Sequence, residues 1–458
     1  MVSMSNQVRV IIQLNTTPAL AAASFGPVDT APPVGVTELP GVELDASYPP
    51  VPITPRSAEG PGMAASFSAS EPATHVVRAA VARDTLADFL ERANEDEDVV
   101  GVFADPRITH YAVCPTGPMG TDLDVEQSLM VDELHRRGMD GTGVNVVVVD
   151  SGFNLNYLRL RGKTPAFNPK LSWGPLPDMP LGDMPVEFGE GFSHGTMCAY
   201  DVCIAAPACT LIDHALLWSQ TPGGSQMDGL LSDAVLSYGL LLSHLSRAPE
   251  PGFGDPLPRT LVVNNSWGMF HPSWDFPVGD PQNYSDNPRH PFNRQVGALE
   301  AAGADILFAA GNCGTECPDR RCEGETNAGI YGANSSSVVT SVAGVVISKE
   351  RIGYSTKGPG RLEERKPDIA SYTHFAGSGV FPADGGTSAA TPVAAGVVAA
   401  IRRRYPASVL SPRKLRDLLQ DTAEPQGDED FDYEYGHGVI NVQNLLDALE
   451  ETSSAEQV

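Results

Sequence analysis

Residues 144–150 read VNVVVVD, four consecutive valines set between Asn145 and Asp150. A strand with one wet face alternates apolar and polar side chains. An unbroken apolar run therefore marks a strand buried on both faces, as in a parallel sheet covered by helices. Working outward, comparable runs recur in ACTLIDHALL (208–217), RTLVVNNSWG (259–268), DILFAAGN (305–312) and SVVTSVAGVV (337–346). Helical stretches lie between them, MDGLLSDAVLSYGLLLSHLSR (227–247) and NRQVGALEAAG (293–303). Strands alternating with helices predict an α/β domain with a doubly wound, mostly parallel sheet. In such sheets reactive groups gather at the carboxyl ends of strands. That rule singles out Asp150, the stretch 266–268 and Asn312.

Upstream the pattern changes. QVRVIIQ (7–13) reads as a strand, and VVRAAV (76–81), DTLADFLERANE (84–95) and VVGVFADPRI (99–108) read strand, helix, strand. These predict a small α+β domain over 1–112. Its stretch from about 16 to 72 is rich in Pro, Gly, Ala and Ser, and is expected to be a long loop or an insertion without structure. The second domain spans 122–449, and an acidic tail, 450–458, is expected to fray.

Composition narrows the function. A formal charge of −27 argues against nucleic acid, whose phosphates require Lys and Arg, and against anionic membrane surfaces. No apolar stretch approaches the ~20 residues of a membrane span. The first residues lack the basic region of a secretion signal, and their apolar run suits a strand better. Seven cysteines leave at least one thiol unpaired within a monomer. Together these readings point to the cytoplasm, with an unconventional export route left open.

Four polar residues carry the chemistry. GGTSAATPVAAG (385–396) puts Ser388 at the start of a helix, where a serine is equally at home as a cap. His194 lies in GFSHGTMCAY (191–200), Asp150 ends the valine run and Asn312 closes AAGN. Singly each has a bland reading: a turn cap, a packed ring, a strand end. Four of them in the order Asp, His, Asn, Ser are hard to explain as coincidence.

With SWG (266–268), AAGN (309–312), YSTKGPG (354–360), KPDIAS (366–371) and YEYGHGVINVQNLL (433–446), these stretches resemble the subtilisin-like serine peptidases, the subtilases. The order Asp, His, Ser matches that group rather than the chymotrypsin or α/β-hydrolase orders. The resemblance covers about 122–449 and implies a serine endopeptidase acting on peptides or proteins through an acyl-enzyme. Ser388 would be the nucleophile, His194 its general base and Asp150 the residue that orients the imidazole. Asn312 and the Ser388 backbone N–H would stabilise the oxyanion. Substrate would pair as an added strand along Ser266, Trp267 and Gly268, with Ala310 and Gly311 opposite. For Trp267 an apolar binding surface and a core role weigh equally.

No cofactor is required by this reading. Asp280, Asn283 and Asp286 offer oxygen ligands for calcium, but their spacing fits no defined calcium loop, and an ordinary polar loop is preferred. Cys198, four residues after His194, is read as a buried thiol beneath the triad. Cys313, Cys317 and Cys322 admit a disulfide with a spare thiol, a zinc site completed by a fourth ligand, or simple packing. Residues 84–108 resemble the end of subtilase propeptides. This implies a ferredoxin-like domain acting as intramolecular chaperone and inhibitor, with cleavage within about 110–122; a retained regulatory domain stays open. Two alternatives stand beside the broad endopeptidase. One is a catalytically idle fold used for binding or scaffolding; the other is an enzyme dedicated to one intracellular precursor.

Overall fold

The computed structural model describes residues 7–23, 42–53, 73–110, 117–187, 193–218, 228–246, 260–427 and 429–455. The N-terminal unit runs β1 (Gln7–Asn15), α1 (Pro18–Ala23), β2 (Val42–Leu44), β3 (Val51–Ile53), β4 (Thr74–Ala82), α2 (Leu86–Glu95) and β5 (Val99–Ala104). β1 lies between β4 and β5, antiparallel to both. β2 and β3 pair in succession along the outer edge of β4. The insertion expected to be loop thus supplies a helix and two short strands. Its proline-rich remainder, 24–41 and 54–72, lies outside the described residues. The two strands cover the edge donors and acceptors of β4, which would otherwise invite pairing with another chain.

The strand expected over 99–108 is broken at Pro106. Proline has no N–H to continue a ladder. Beyond it, β6 (Arg107–His110) leaves the N-terminal sheet and joins another.

The larger unit begins with α3 (Asp122–Ser128) and α4 (Val131–Arg136), then β7 (Asn145–Asp150), α5 (Leu155–Leu160), β8 (Ala166–Phe167), α6 (His194–Ala205) and β9 (Thr210–Ala215). Next come β10 (Asp228–Leu230), α7 (Leu231–Ser246), β11 (Leu261–Asn265), β12 (Trp267–Gly268), α8 (Pro291–Ala301) and β13 (Ala304–Ala309). It closes with β14 (Thr340–Val345), β15 (Ile369–Tyr372), α9 (Thr387–Arg402), α10 (Pro412–Asp421) and α11 (Val442–Ala455). Seven strands form one sheet in the order β15-β14-β13-β11-β7-β9-β8, every neighbouring pair parallel.

The valine run shows why. Val146 and Val148 enter the core beneath α6 and α9, whereas Val147 and Val149 enter the core beneath α7 and α8. Each buried valine contributes about 1.5–3 kcal/mol, and with both faces covered no position in the run is left for a polar side chain. β9 and β13 lie on opposite sides of the β7–β11 pair, so the winding reverses there. That reversal opens a crevice at the carboxyl ends of the strands. Asp150 ends β7, and Ser266 directly follows β11.

The two units share a core. One face of the N-terminal sheet packs under α2 through Val10, Ile12, Val77 and Phe89. The other face contributes Ile11, Val51, Ile53, Val76 and Phe103 to the cluster built on α7 and α8. At this junction Arg78 Nη1 pairs with Asp233 at 2.9 Å, and Arg78 Nη2 with Asp45 at 2.8 Å. The Tyr48 hydroxyl donates to the Ser232 carbonyl at 2.6 Å. The Ser232 N–H donates to Asp105 at 2.8 Å. At the other terminus, residues 450–455, expected to fray, extend α11, and Glu450 pairs with Arg137.

Candidate active site

Asp150 and His194 meet because two turns are built to bring them together. After β7, Gly152 adopts φ +83°, a conformation open to glycine but rarely to other residues. The Gly195 N–H donates to Ser151 Oγ at 3.0 Å, seating the first turn of α6 on this bend. A Cβ on Gly195 would stand 2.4 Å from the Gly152 carbonyl oxygen, so only glycine permits the approach. His194 Nδ1 then lies 2.8 Å from Asp150 Oδ1 and 3.0 Å from Oδ2, with both side chains buried.

Ser388 sits in the first turn of α9, behind Gly386 at φ +77°. Its hydroxyl donates to the Ser266 carbonyl at 3.2 Å, and Ser266 Oγ donates back to the Ser388 carbonyl at 2.9 Å. The second bond has a cause in the sequence. Pro392, four residues on, has no N–H, so the Ser388 carbonyl receives no helical bond and is open to another donor. Cys198 Sγ lies 3.7 Å from that same carbonyl, 3.7 Å from Asp150 Oδ2 and 3.8 Å from His194 Nδ1. Among the described residues, Asp150, His194 and Cys198 are the one group of three that could gather around a metal ion. Burial, with the Asp150 charge adding to it, pushes the Cys198 thiol well above its ordinary pKa. It is a protonated thiol at neutral pH, not a second nucleophile.

Asn312 follows β13 through a bend at Gly311, φ +113°. Its Oδ1 accepts from the Thr387 N–H at 2.9 Å and from Thr387 Oγ1 at 3.0 Å. A backbone N–H can only donate, so the amide is fixed with its oxygen toward Thr387 and its NH₂ turned away. Gly311 donates its N–H to Thr387 Oγ1 at 3.1 Å, and Ala310 donates its N–H to the Val342 carbonyl at 3.0 Å. Immediately beyond, Cys313 and Cys322 form a disulfide. Cys317 is disulfide-bonded too, which removes thiolates from the zinc alternative. Cys198, Cys203 and Cys209 are free thiols. Among the described residues no helix is long and apolar enough to cross a membrane.

The expected substrate strands are occupied. β6 lies antiparallel between β10 and β12. His110 pairs with Trp267 and Thr109 with Gly268, so β6 runs toward Ser266 and hence toward Ser388. The Trp267 ring is fully buried against Phe292 and Phe308. Its side chain is core, and its backbone does the pairing. Asp280, Asn283 and Asp286 do not converge: they accept from Gln282, Asp286 and Gly279 N–H groups within their own loop. Sequence reasoning missed β10, Asp228 and Trp274, because nothing local marks a three-residue edge strand as part of a cleft. Thr387 was legible within the GTS triplet but was not singled out.

The subtilase family matches residues 141–438. Bacillopeptidase F of Bacillus subtilis (strain 168) is 27% identical over 329 residues, 68% of this chain and 21% of that protein. Subtilisin DY of Bacillus licheniformis is 34% identical over 143 residues, 31% of this chain and 47% of its own length. Serine protease AprX of Bacillus subtilis (strain 168) is 26% identical over 348 residues, 69% of each. The chain thus spans about a fifth of the first of these proteins and about half of the second.

Proposed function

The chain belongs to the subtilase family, and on that premise we propose that it is a serine endopeptidase in which Ser388, His194 and Asp150 act as a triad. The observation that carries the reading is the buried 2.8 Å contact between His194 Nδ1 and Asp150, with Cys198 Sγ 3.7 Å from the Asp150 carboxylate and 3.7 Å from the Ser388 backbone carbonyl. Asp150 holds the imidazole tautomer that leaves Nε2 able to take the Ser388 proton. It also stabilises the imidazolium that results. The Ser388 oxygen, turned from the Ser266 carbonyl, attacks the peptide carbonyl. The Asn312 amide NH₂ and the Ser388 N–H meet the developing oxyanion, and water then releases the acyl group. No metal or cofactor enters these steps.

The N-terminal unit is read as a propeptide-type domain that helps the catalytic unit fold and blocks it until cut. Its support is β6, which lies where a substrate strand would pair, and the apolar face it shares with α7 and α8. Cleavage shortly after His110 follows from the direction of β6, within the 110–122 stretch expected from sequence.

Fluorophosphonate labelling and intact mass of the chain beside its Ser388→Ala form test the proposal. The wild type should take one label and lose about its first 110 residues, and the variant should do neither. Loss of peptidase activity should be on the order of 10⁶-fold, as when a subtilisin loses its serine. A wild-type chain that neither labels nor cuts would instead be the idle scaffold.

A further inference from the structure

β6 is a peptide already lying in the cleft, and the partners of its side chains record what the cleft accepts. We propose that the enzyme selects substrates with a cationic residue directly before an aliphatic one, and that Asp228 and Trp274 are the residues that read the cation. This rests on the peptidase reading above and names its substrate class.

In the β6–β10 ladder Arg107 stands opposite Leu230, Ile108 opposite Gly229 and Thr109 opposite Asp228. Side chains alternate along a strand, so Ile108 faces one way and Arg107 the other. Ile108 is fully buried in the apolar cluster beneath α7. Gly229 lets β10 lie close to the neighbouring segment, since a Cβ there would stand 3.1 Å from the Leu216 carbonyl oxygen. On the opposite face Arg107 reaches diagonally to Asp228, Nη2 to Oδ2 at 3.1 Å. Its guanidinium carbon lies 5.0 Å over the Trp274 ring. The Asp228 side chain is only 5% exposed while that of Arg107 is 49% exposed.

The asymmetry is what makes this a subsite rather than a surface pair. Among the described residues Arg107 is the one charge paired with Asp228. When β6 leaves the cleft, a carboxylate set in a largely buried position loses its counter-charge, an arrangement that disfavours the empty site. A substrate bringing a new cation restores the pair, and one bringing a carboxylate meets like charge. The indole face adds attraction for a planar cation, which favours Arg over Lys. The net charge of −27 pulls in the same direction at long range.

The test uses internally quenched peptides of the chain's own residues 105–113, DPRITHYAV, with Arg107 kept or changed to Lys, Ala or Glu. They are given to the purified chain after it has processed itself. Because the Arg107 side chain is half exposed, kcat/KM should fall about 5-fold for Arg107→Ala and at least about 10-fold for Arg107→Glu, with Lys between Arg and Ala. An Asp228→Asn enzyme should cut the Arg and Glu peptides within about 2-fold of each other, and Trp274→Leu should shrink the preference in part. Equal kcat/KM for all four peptides on the wild type overturns the inference and leaves the peptidase standing, as does an undiminished Arg preference in Asp228→Asn. If no peptide is cut and no fluorophosphonate is taken up, the peptidase reading falls and this one with it.

Discussion

Thr387 shows how little separates a positioned residue from a decorative one. Its N–H and hydroxyl both hold Asn312 Oδ1, so the amide cannot turn its oxygen toward substrate. Asn312→Ala should therefore lower kcat by about 10²–10³ with KM little changed, the range seen when a subtilisin loses the matching asparagine. Steady-state kinetics on a peptide substrate check this. An equal fall with Thr387→Val would assign the threonine the same duty by another route. Gly195 makes a second case. An added methyl would meet a backbone oxygen, which cannot swing aside as a side chain can. Gly195→Ala should cost about 1–3 kcal/mol of stability and lengthen the His194–Asp150 contact. A thermal melt together with residual activity measures both, and an unchanged activity would refute the steric account.

At the scale of elements, α6 and α9 carry the proposed base and nucleophile, and their closeness is a matter of small residues. A Cβ on Gly396 would stand 2.5 Å from the Val202 carbonyl oxygen, so glycine sets the separation of these helices. The far end of α9 is held by Arg402. Its Nε and Nη2 lie 2.5 and 2.6 Å from the two oxygens of Asp305 on β13. The Arg402 side chain is fully buried. Asp305→Ala would strand a buried guanidinium, at a cost of about 3–5 kcal/mol. Thermal unfolding in the Ser388→Ala background, which avoids self-digestion, should show this as a lowered Tm; a shift too small to resolve would mean that the Tyr405 and Leu410 carbonyls suffice. The long strands and helices of this unit were legible because their apolar runs are long. β8 and β10 were not, since two or three residues carry no period, and their pairing exists only once distant chain segments have come together.

At the scale of the whole molecule, the junction between the units is a buried charged cluster. Burial pushes Asp233 up to about 6, with Arg78 acting against the rise and Asp105 with it. Asp105 is raised as well, again chiefly by burial. Arg78, Asp45 and Tyr48 face them too, and Arg9 acts on Asp105. A solvated aspartate titrates near 3.9, so the docked state binds the Asp233 proton more tightly than the separated one. Docking is then strongest below about pH 4, weakens as pH rises through about 4 to 6, and levels off above. Size exclusion of the processed complex at about pH 5 and about pH 7.5 should show the N-terminal unit better retained at the lower pH, with the difference reduced by Asp233→Asn. The reverse order would contradict the linkage.

The sequence by itself determined the parallel sheet, the order of its long elements and four polar residues at strand and helix ends. Those are properties of local pattern: burial on both faces writes itself into an unbroken run of valines, and turn chemistry into glycine. Only the tertiary structure decided that part of the proline-rich insertion forms strands, that Trp267 turns its ring into the core, and that Arg107 finds Asp228. Each of those depends on which distant surface covers a segment. A residue's neighbours along the chain carry no record of that, because the covering surface comes from outside the local stretch, as with Phe292 and Phe308 for Trp267 or Asp228 for Arg107.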